Sequence, residues 1–253
     1  IKDIRIYTVI HLEFGVFSYF ITIFWIVVFM NAVNLIDGMD GLSTGIVLIA
    51  NCFVIIIALI TKNYLVMSLA VALEFAILGF YLFNFPPAKI FLGDGGAYFI
   101  GFLYAIMPLM AIKKSAALTV FLIPMMLMLI PISDIISVMY TRFKTGKNMF
   151  HPDKNHLHHR LLNLGFSTRG ILAVVYSYTV ILGCFSVLMT VGKPEYTIFM
   201  LIFVTLIVFL SFYILSRAEK RISSLDNENR MLLRSIKENR KGKSSKAGLK
   251  KVM

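Results

Sequence analysis

Asn31-Ala32-Val33-Asn34-Leu35-Ile36-Asp37-Gly38-Met39-Asp40-Gly41-Leu42 joins two stretches, 15–31 and 43–61, that contain no charged residue. Two carboxamides, two carboxylates and two glycines are costly at the end of an apolar span, because ionisable groups there lose hydration that packing alone does not return. Glycine adds the close approach of backbone to ligand. The run reads as the wall of a chemical site at the edge of a bilayer.

Outward from it, the chain is uniformly apolar. At 58% hydrophobic and 15% charged, 253 residues are too apolar for a soluble globule of that length. A membrane-crossing helix needs about 20 largely apolar residues. Seven segments suit that role: roughly 15–31, 43–61, 64–84, 95–112, 116–138, 170–191 and 196–215. The expected fold is all-α, a polytopic transmembrane helical bundle over residues 1–216, followed by a basic tail over 217–253.

A formal net charge of +12 suggests nucleic acid, but its placement argues for a membrane orientation instead. With the C-terminus cytoplasmic, nineteen basic residues fall inside and six outside, twelve of the nineteen after position 216. The N-terminus is then outside, residues 31–42, 84–94 and 139–169 share the cytoplasmic face, and the opposite connections are too short for a site. No nucleic acid is expected as a partner. The chain begins at Ile1, not Met, and has no signal peptide, so the orientation leads us to expect further residues upstream.

Residues 1–14 alternate apolar and polar and predict a short extracytoplasmic strand or hairpin. Cys52 and Cys184 lie in separate spans with no pairing pattern, which predicts no disulfide. Glu74, near the middle of the third span, has two readings: a proton or substrate path, or a neutral acid satisfied by a neighbouring helix.

Asn84-Phe-Pro-Pro-Ala-Lys89-Ile-Phe-Leu-Gly-Asp94-Gly-Gly ends one span at its prolines and opens the next. An aspartate there is an ordinary cap. Glycines on both sides of Asp94 suit the approach of a metal-bound diphosphate better. Asp134, at the end of the fifth span, is expected to support the basic connection after it, with pairing to Arg142 as the alternative. That connection holds Arg142 and then His151-Pro-Asp-Lys-Asn-His156-Leu157-His158-His159-Arg160, four of the five histidines within nine residues. Imidazole and guanidinium donors together fit anion binding, while metal binding and a solvated basic loop stay open.

In the tail, Ile222, Leu225, Asn229, Leu232 and Ile236 fall at alternating spacings of three and four. They describe either a seam for a parallel homodimer or a basic segment lying on anionic membrane lipid.

Together, Asn31-Ala-Val-Asn34-Leu-Ile-Asp37-Gly-Met-Asp40-Gly-Leu, the Asn84 to Asp94 run and Pro152-Asp-Lys-Asn-His156-Leu-His158-His159 resemble the signature loops of the polyprenyl-phosphate N-acetylhexosamine-1-phosphate transferases. These are phosphoglycosyltransferases of the glycosyltransferase family 4 type. The Pro-Asp-x-x-His-x-His-His form, with Leu157 inside it, is similar to the undecaprenyl-phosphate GlcNAc-1-phosphate branch, which starts surface and cell-wall polysaccharides.

The resemblance implies a bacterial plasma-membrane enzyme with a cytoplasmic active site. It implies Mg2+, with Mn2+ as a substitute, and UDP-N-acetylhexosamine and polyprenyl phosphate as substrates. By resemblance Asp94 and Asn34 hold the metal, and Asp37 and Asp40 line the nucleotide pocket. Arg142, His156, His158 and His159 grip the diphosphate, and Asn31 and Lys89 join the substrate-binding set. Phosphoryl transfer asks for positioning and charge neutralisation, which such groups supply.

The family's Asp-Asp motif occurs nowhere in this sequence. The reading is therefore an N-terminally truncated transferase, inactive alone. The rivals are a proton-coupled carrier using Glu74, Asp37 and Asp40, and a non-catalytic membrane scaffold.

Overall fold

A computed structural model describes residues 3–6, 10–13, 15–110, 128–146, 156–192, 196, 199–219, 221 and 224–225. Residues 1–209 form one compact unit and 210–253 a second. Two strands, Asp3–Ile6 (β1) and Ile10–Glu13 (β2), pair antiparallel with Asp3 opposite Glu13. The rest of the regular structure is helical: Phe17–Ile36 (α1), Leu42–Ile60 (α2), Tyr64–Asn84 (α3), Gly93–Met110 (α4), Leu129–Thr145 (α5), Leu157–Asn163 (α6), Thr168–Val191 (α7) and Phe199–Glu219 (α8).

Five of these, α1, α2, α3, α7 and α8, are long and apolar enough to cross a membrane. α4 covers most of the expected fourth span, its first turn carrying Asp94, and residues 111 and 112 of that span lie outside the described residues. The chain is an all-α, multi-pass membrane protein. In the second unit the Arg217 guanidinium lies 5.3 Å from the centre of the Tyr213 ring, one turn earlier. Most of the tail seam, and His151 to Asn155 in the basic connection, lie outside the described residues.

Two helix boundaries differ from the expectation. α1 does not stop at 31 but runs to Ile36, because Asn31 turns its amide onto its own helix, Nδ2 donating to the Val27 carbonyl at 2.8 Å. Ala32, Val33 and Ile36 meanwhile stay buried at helical spacing. The segment Pro131 to Asp134 lies in the opening turns of α5, which continues through Arg142 to a left-handed Gly146 (φ 65°), while residues 116–127 of the expected fifth span lie outside the described residues. A proline in the first helical turn forfeits no hydrogen bond, and nothing breaks the helix before Gly146.

Local chemistry sets the other ends. Asn63 accepts the Val66 amide at 3.2 Å and starts α3, and Ser167 accepts the Gly170 amide at 3.2 Å at the start of α7. α3 ends at Phe85, extended as a residue before proline must be.

The core joins α1, α2, α3 and α4 around Phe29, Val33, Val47, Ile77, Ile100 and Tyr104. Trp25 in α1 donates its indole N–H to the Ala105 carbonyl of α4 at 2.9 Å. Between the same helices Gly101 meets bare backbone: a Cβ there would lie 2.6 Å from Met30 Cα and 2.7 Å from the Phe29 carbonyl oxygen.

Of the two readings of Glu74, the geometry supports the satisfied acid. Asn51 Nδ2 donates to Glu74 Oε2 at 2.8 Å and Cys52 Sγ to Oε1 at 3.2 Å, tying α2 to α3. Cys52 and Cys184 are both free thiols.

Candidate active site

The turn 37–41 is the hub of one end of the bundle. α1 delivers Asn34 and Asp37, and Gly41 turns the chain into α2 in the left-handed conformation (φ 74°) that a side chain disfavours. Asn34 Nδ2 donates to Asp94 Oδ1 at 3.0 Å, bridging the end of α1 and the start of α4 across 60 residues of sequence. The two residues expected to share a metal are thus in contact.

Asp37 lies just past α1, its Oδ1 receiving the Ser43 hydroxyl. Burial pushes its carboxyl above the ordinary range, and the charge of Asp94 pushes the same way against the Ser43 hydrogen bond. Asp40 is differently employed. Its Oδ2 accepts the Ala88 amide at 3.0 Å, so one oxygen anchors the 85–92 connection.

Asn84 holds the two loops together. Its Oδ1 accepts both the Gly41 amide at 3.1 Å and the Thr44 hydroxyl at 2.7 Å, while its Nδ2 donates to the Ile90 carbonyl at 2.9 Å. Removing this buried side chain orphans polar groups at about 1–3 kcal/mol each. Asn84→Ala is expected to lower the unfolding midpoint in detergent by several degrees, and an unchanged midpoint would mean the two loops are not held here.

From the other side, Tyr176 of α7 donates to the Gly41 carbonyl at 2.5 Å and lies 3.2 Å from the Tyr81 hydroxyl. Gly45 leaves room for the same ring. Neither Tyr176, Thr44 nor Ser43 is signalled by the sequence, since each is an ordinary residue inside an apolar helix.

The histidine segment closes against this turn. Asp134, buried in α5, accepts the Leu157 amide on Oδ1 at 2.9 Å and faces His156 Nδ1 with Oδ2 at 3.1 Å. The expected supporting role of Asp134 therefore has a geometry. His156 is half-buried at the head of α6. His159 is half-buried, its ring 4.3 Å from that of His158. Arg142, near the end of α5, is buried.

His158 differs from its neighbours in burial. It is 4% exposed, its Nε2 has no hydrogen-bond partner among the described residues, and it packs on Gly38. Burial, reinforced by His159 and His156, lowers its pKa to about 4, against the smaller opposite pull of Asp134. Burial thus favours the neutral imidazole at pH 7.

An unfolded histidine titrates near 6.5, so between that pH and about 4 the unfolded chain binds more protons and stability rises with pH. This contribution is complete above 6.5 and lost as the pH falls towards 4. The unfolding midpoint should fall on that acidification, and His158→Gln should flatten the drop. An identical pH profile for the variant would contradict the assignment.

Asn31 and Lys89 are not drawn into the cluster. The Asn31 amide is spent on Val27, and Lys89 is exposed between α3 and α4.

The donor set suits a hard cation. Asp94 is exposed beside Asn34, whose carboxamide offers oxygen after a half-turn, and the raised Asp37 carboxyl lies near enough to feel Asp94. Among the described residues no three of His, Cys, Asp and Glu gather as a metal cage. Magnesium asks for less, since it keeps several waters and takes one or two carboxylates plus phosphate oxygens. The residues present fit it.

Residues 1–112 match the model of glycosyl transferase family 4. The chain is similar to a probable undecaprenyl-phosphate N-acetylglucosaminyl 1-phosphate transferase of Bacillus subtilis, 38% identical over 65% of this chain and 46% of the relative. It is 34% identical to a decaprenyl-phosphate N-acetylglucosaminephosphotransferase of Mycobacterium tuberculosis, over 63% of this chain and 44% of that protein. An undecaprenyl-phosphate alpha-N-acetylglucosaminyl 1-phosphate transferase of Escherichia coli is 27% identical over 90% of this chain and 62% of the relative. The chain spans about half the length of the first two and somewhat more of the third. The matched segment carries α1 to α4 with Asn34, Asp37, Asp40 and Asp94, and over these residues the chain is similar to glycosyl transferase family 4.

Proposed function

We propose that the protein transfers N-acetylglucosamine 1-phosphate from UDP-N-acetylglucosamine to a polyprenyl phosphate, releasing UMP and initiating a cell-wall or surface polysaccharide. An oxygen of the acceptor phosphate bonds to the β-phosphorus of the donor. The bond from that phosphorus to the bridging oxygen breaks, and UMP leaves with the electron pair. The observation that carries this reading is the Asn34–Asp94 hydrogen bond, at the end of the bundle where Gly38 packs on His158. The names of the relatives support it, each naming a polyprenyl phosphate and an N-acetylglucosamine phosphate transfer.

In this mechanism Asp94 and Asn34 would hold Mg2+. When bound, the ion neutralises the charge of the diphosphate. Asp37, kept partly desolvated beside Ser43, lines the same edge. His159 and Arg142 supply donors to phosphate oxygens, while His156 offers an acceptor nitrogen to a protonated one. Asp40, Asn84 and Tyr176 hold the turn on which these groups depend.

A greasy acceptor and a water-soluble donor meet naturally at the end of a helical bundle. The excess of basic residues supports a cytoplasmic position for that end, and the bacterial relatives support the plasma membrane as its site. The protein in its full natural length, purified in detergent with polyprenyl phosphate and radiolabelled UDP-N-acetylglucosamine, should form a solvent-extractable labelled lipid with magnesium and none after chelation. No labelled lipid from any UDP-hexosamine would refute the reading.

A further inference from the structure

Asp134 does more at the site than cap α6. Its carboxylate is 2% exposed, and both oxygens are committed to the head of the histidine segment, Oδ1 to the Leu157 amide at 2.9 Å and Oδ2 to His156 Nδ1 at 3.1 Å. An ionised carboxylate only accepts hydrogen bonds, so the proton of a neutral His156 ring sits on Nδ1 and Nε2 is left bare. The same two contacts fix the position of the ring. One hydrogen bond holds the edge of the imidazole and the other holds the backbone one residue on, so the ring is gripped from two directions by one rigid group on α5.

The neighbouring rings reinforce that alignment. His156 and His158 are stacked with planes 4° apart and centres 6.2 Å apart, and His158 is backed by Gly38 of the hub turn. A turn of the His156 ring would therefore cost both the carboxylate bond and the parallel alignment.

We propose that Asp134 is a positioning residue that selects the Nδ1-protonated form of His156 and holds Nε2 for the phosphate-bearing substrate. This assignment rests on the transfer reaction proposed above. It differs from a purely structural role in one respect. A cap on the Leu157 amide needs only an acceptor oxygen, which asparagine also has. Selection of the tautomer needs an acceptor facing Nδ1 as well, and the second atom of an asparagine amide is a donor.

Asp134→Asn is therefore the decisive variant, measured in the full-length protein. With 15N-labelled histidine, and His156 assigned by its loss in His156→Gln, the wild type should show an Nδ1–H, bare-Nε2 imidazole at pH 8. Asp134→Asn should show mixed or reversed tautomers while keeping the wild-type unfolding midpoint. In the transfer assay the variant should lose about 100-fold in kcat with the KM for UDP-N-acetylglucosamine within about twofold. Asp134→Ala serves as a control that loses the cap as well, and should be both less stable and as slow.

An unchanged tautomer in Asp134→Asn, or turnover within about twofold of wild type, would overturn the proposal. The two hypotheses fail separately. A wild type that transfers nothing refutes the function, while the nitrogen spectra still decide the tautomer; normal transfer by Asp134→Asn refutes the positioning role and leaves the function standing.

Discussion

Asp94→Asn is expected to reduce transfer about 1,000-fold while leaving the protein inserted and as stable as the wild type. The replacement has nearly the same shape, and its Oδ1 can still accept the Asn34 amide that spans α1 and α4 at 3.0 Å. What disappears is the negative charge. Packing at this position asks only for an acceptor, whereas binding a hard divalent cation asks for a carboxylate. The assay is labelled-lipid formation across a magnesium titration, beside an unfolding curve. Turnover within tenfold of wild type would remove Asp94 from the reaction, whatever the curve shows.

The second large effect is expected from the smallest change. In Gly38→Ala the added Cβ would lie 2.6 Å from His158 Cε1 and 2.8 Å from Nε2. Gly38 does not have a positive φ, so the backbone itself tolerates alanine and the whole cost falls on the collision. His158 has little room to yield, being buried with His159 against one side. Overpacking of this kind costs about 1–3 kcal/mol, and the shifted turn carries Asp37 with it. A loss of roughly 100-fold in turnover is expected, since small displacements of positioned groups weigh heavily in phosphoryl transfer. Gly38→Ala with His158→Ala should recover stability lost by either change alone, a coupling measured by the double-mutant cycle. Additive effects would mean that the turn and α6 do not touch.

Much of this was legible in the sequence because the signals are physical and local. Length and apolarity mark the membrane helices, and the polar residues of 31–42 and 84–94 stand out because nothing around them is polar. Proximity of Asn34 to Asp94 follows once both runs lie at one end of a bundle. Boundaries were less legible. Asparagine at 31 resembles a helix end until its amide is seen to bond four residues back, and Pro131 resembles a stop until it falls in a first turn.

The individual employment of like residues was not legible at all. Asp37 and Asp40 differ by three positions, yet one is held beside Asp94 and the other ties down Ala88. Of the histidines at 156, 158 and 159, only His158 is fully buried. Such differences arise from which neighbour each side chain meets, and the tyrosine at 176 that clasps Gly41 lies 135 residues away.

The spacing between a carboxamide on one helix and a carboxylate on another is usually thought of as a property of the loops that carry them. Here it is gauged further along the helices, where Gly101 lets two main chains touch with no side chain between. Met30 is four residues before Asn34, and Gly101 is seven after Asp94. A larger residue at the glycine would wedge the two rods apart like a shim beneath a vice, opening the jaws at a distance from the place where it was inserted.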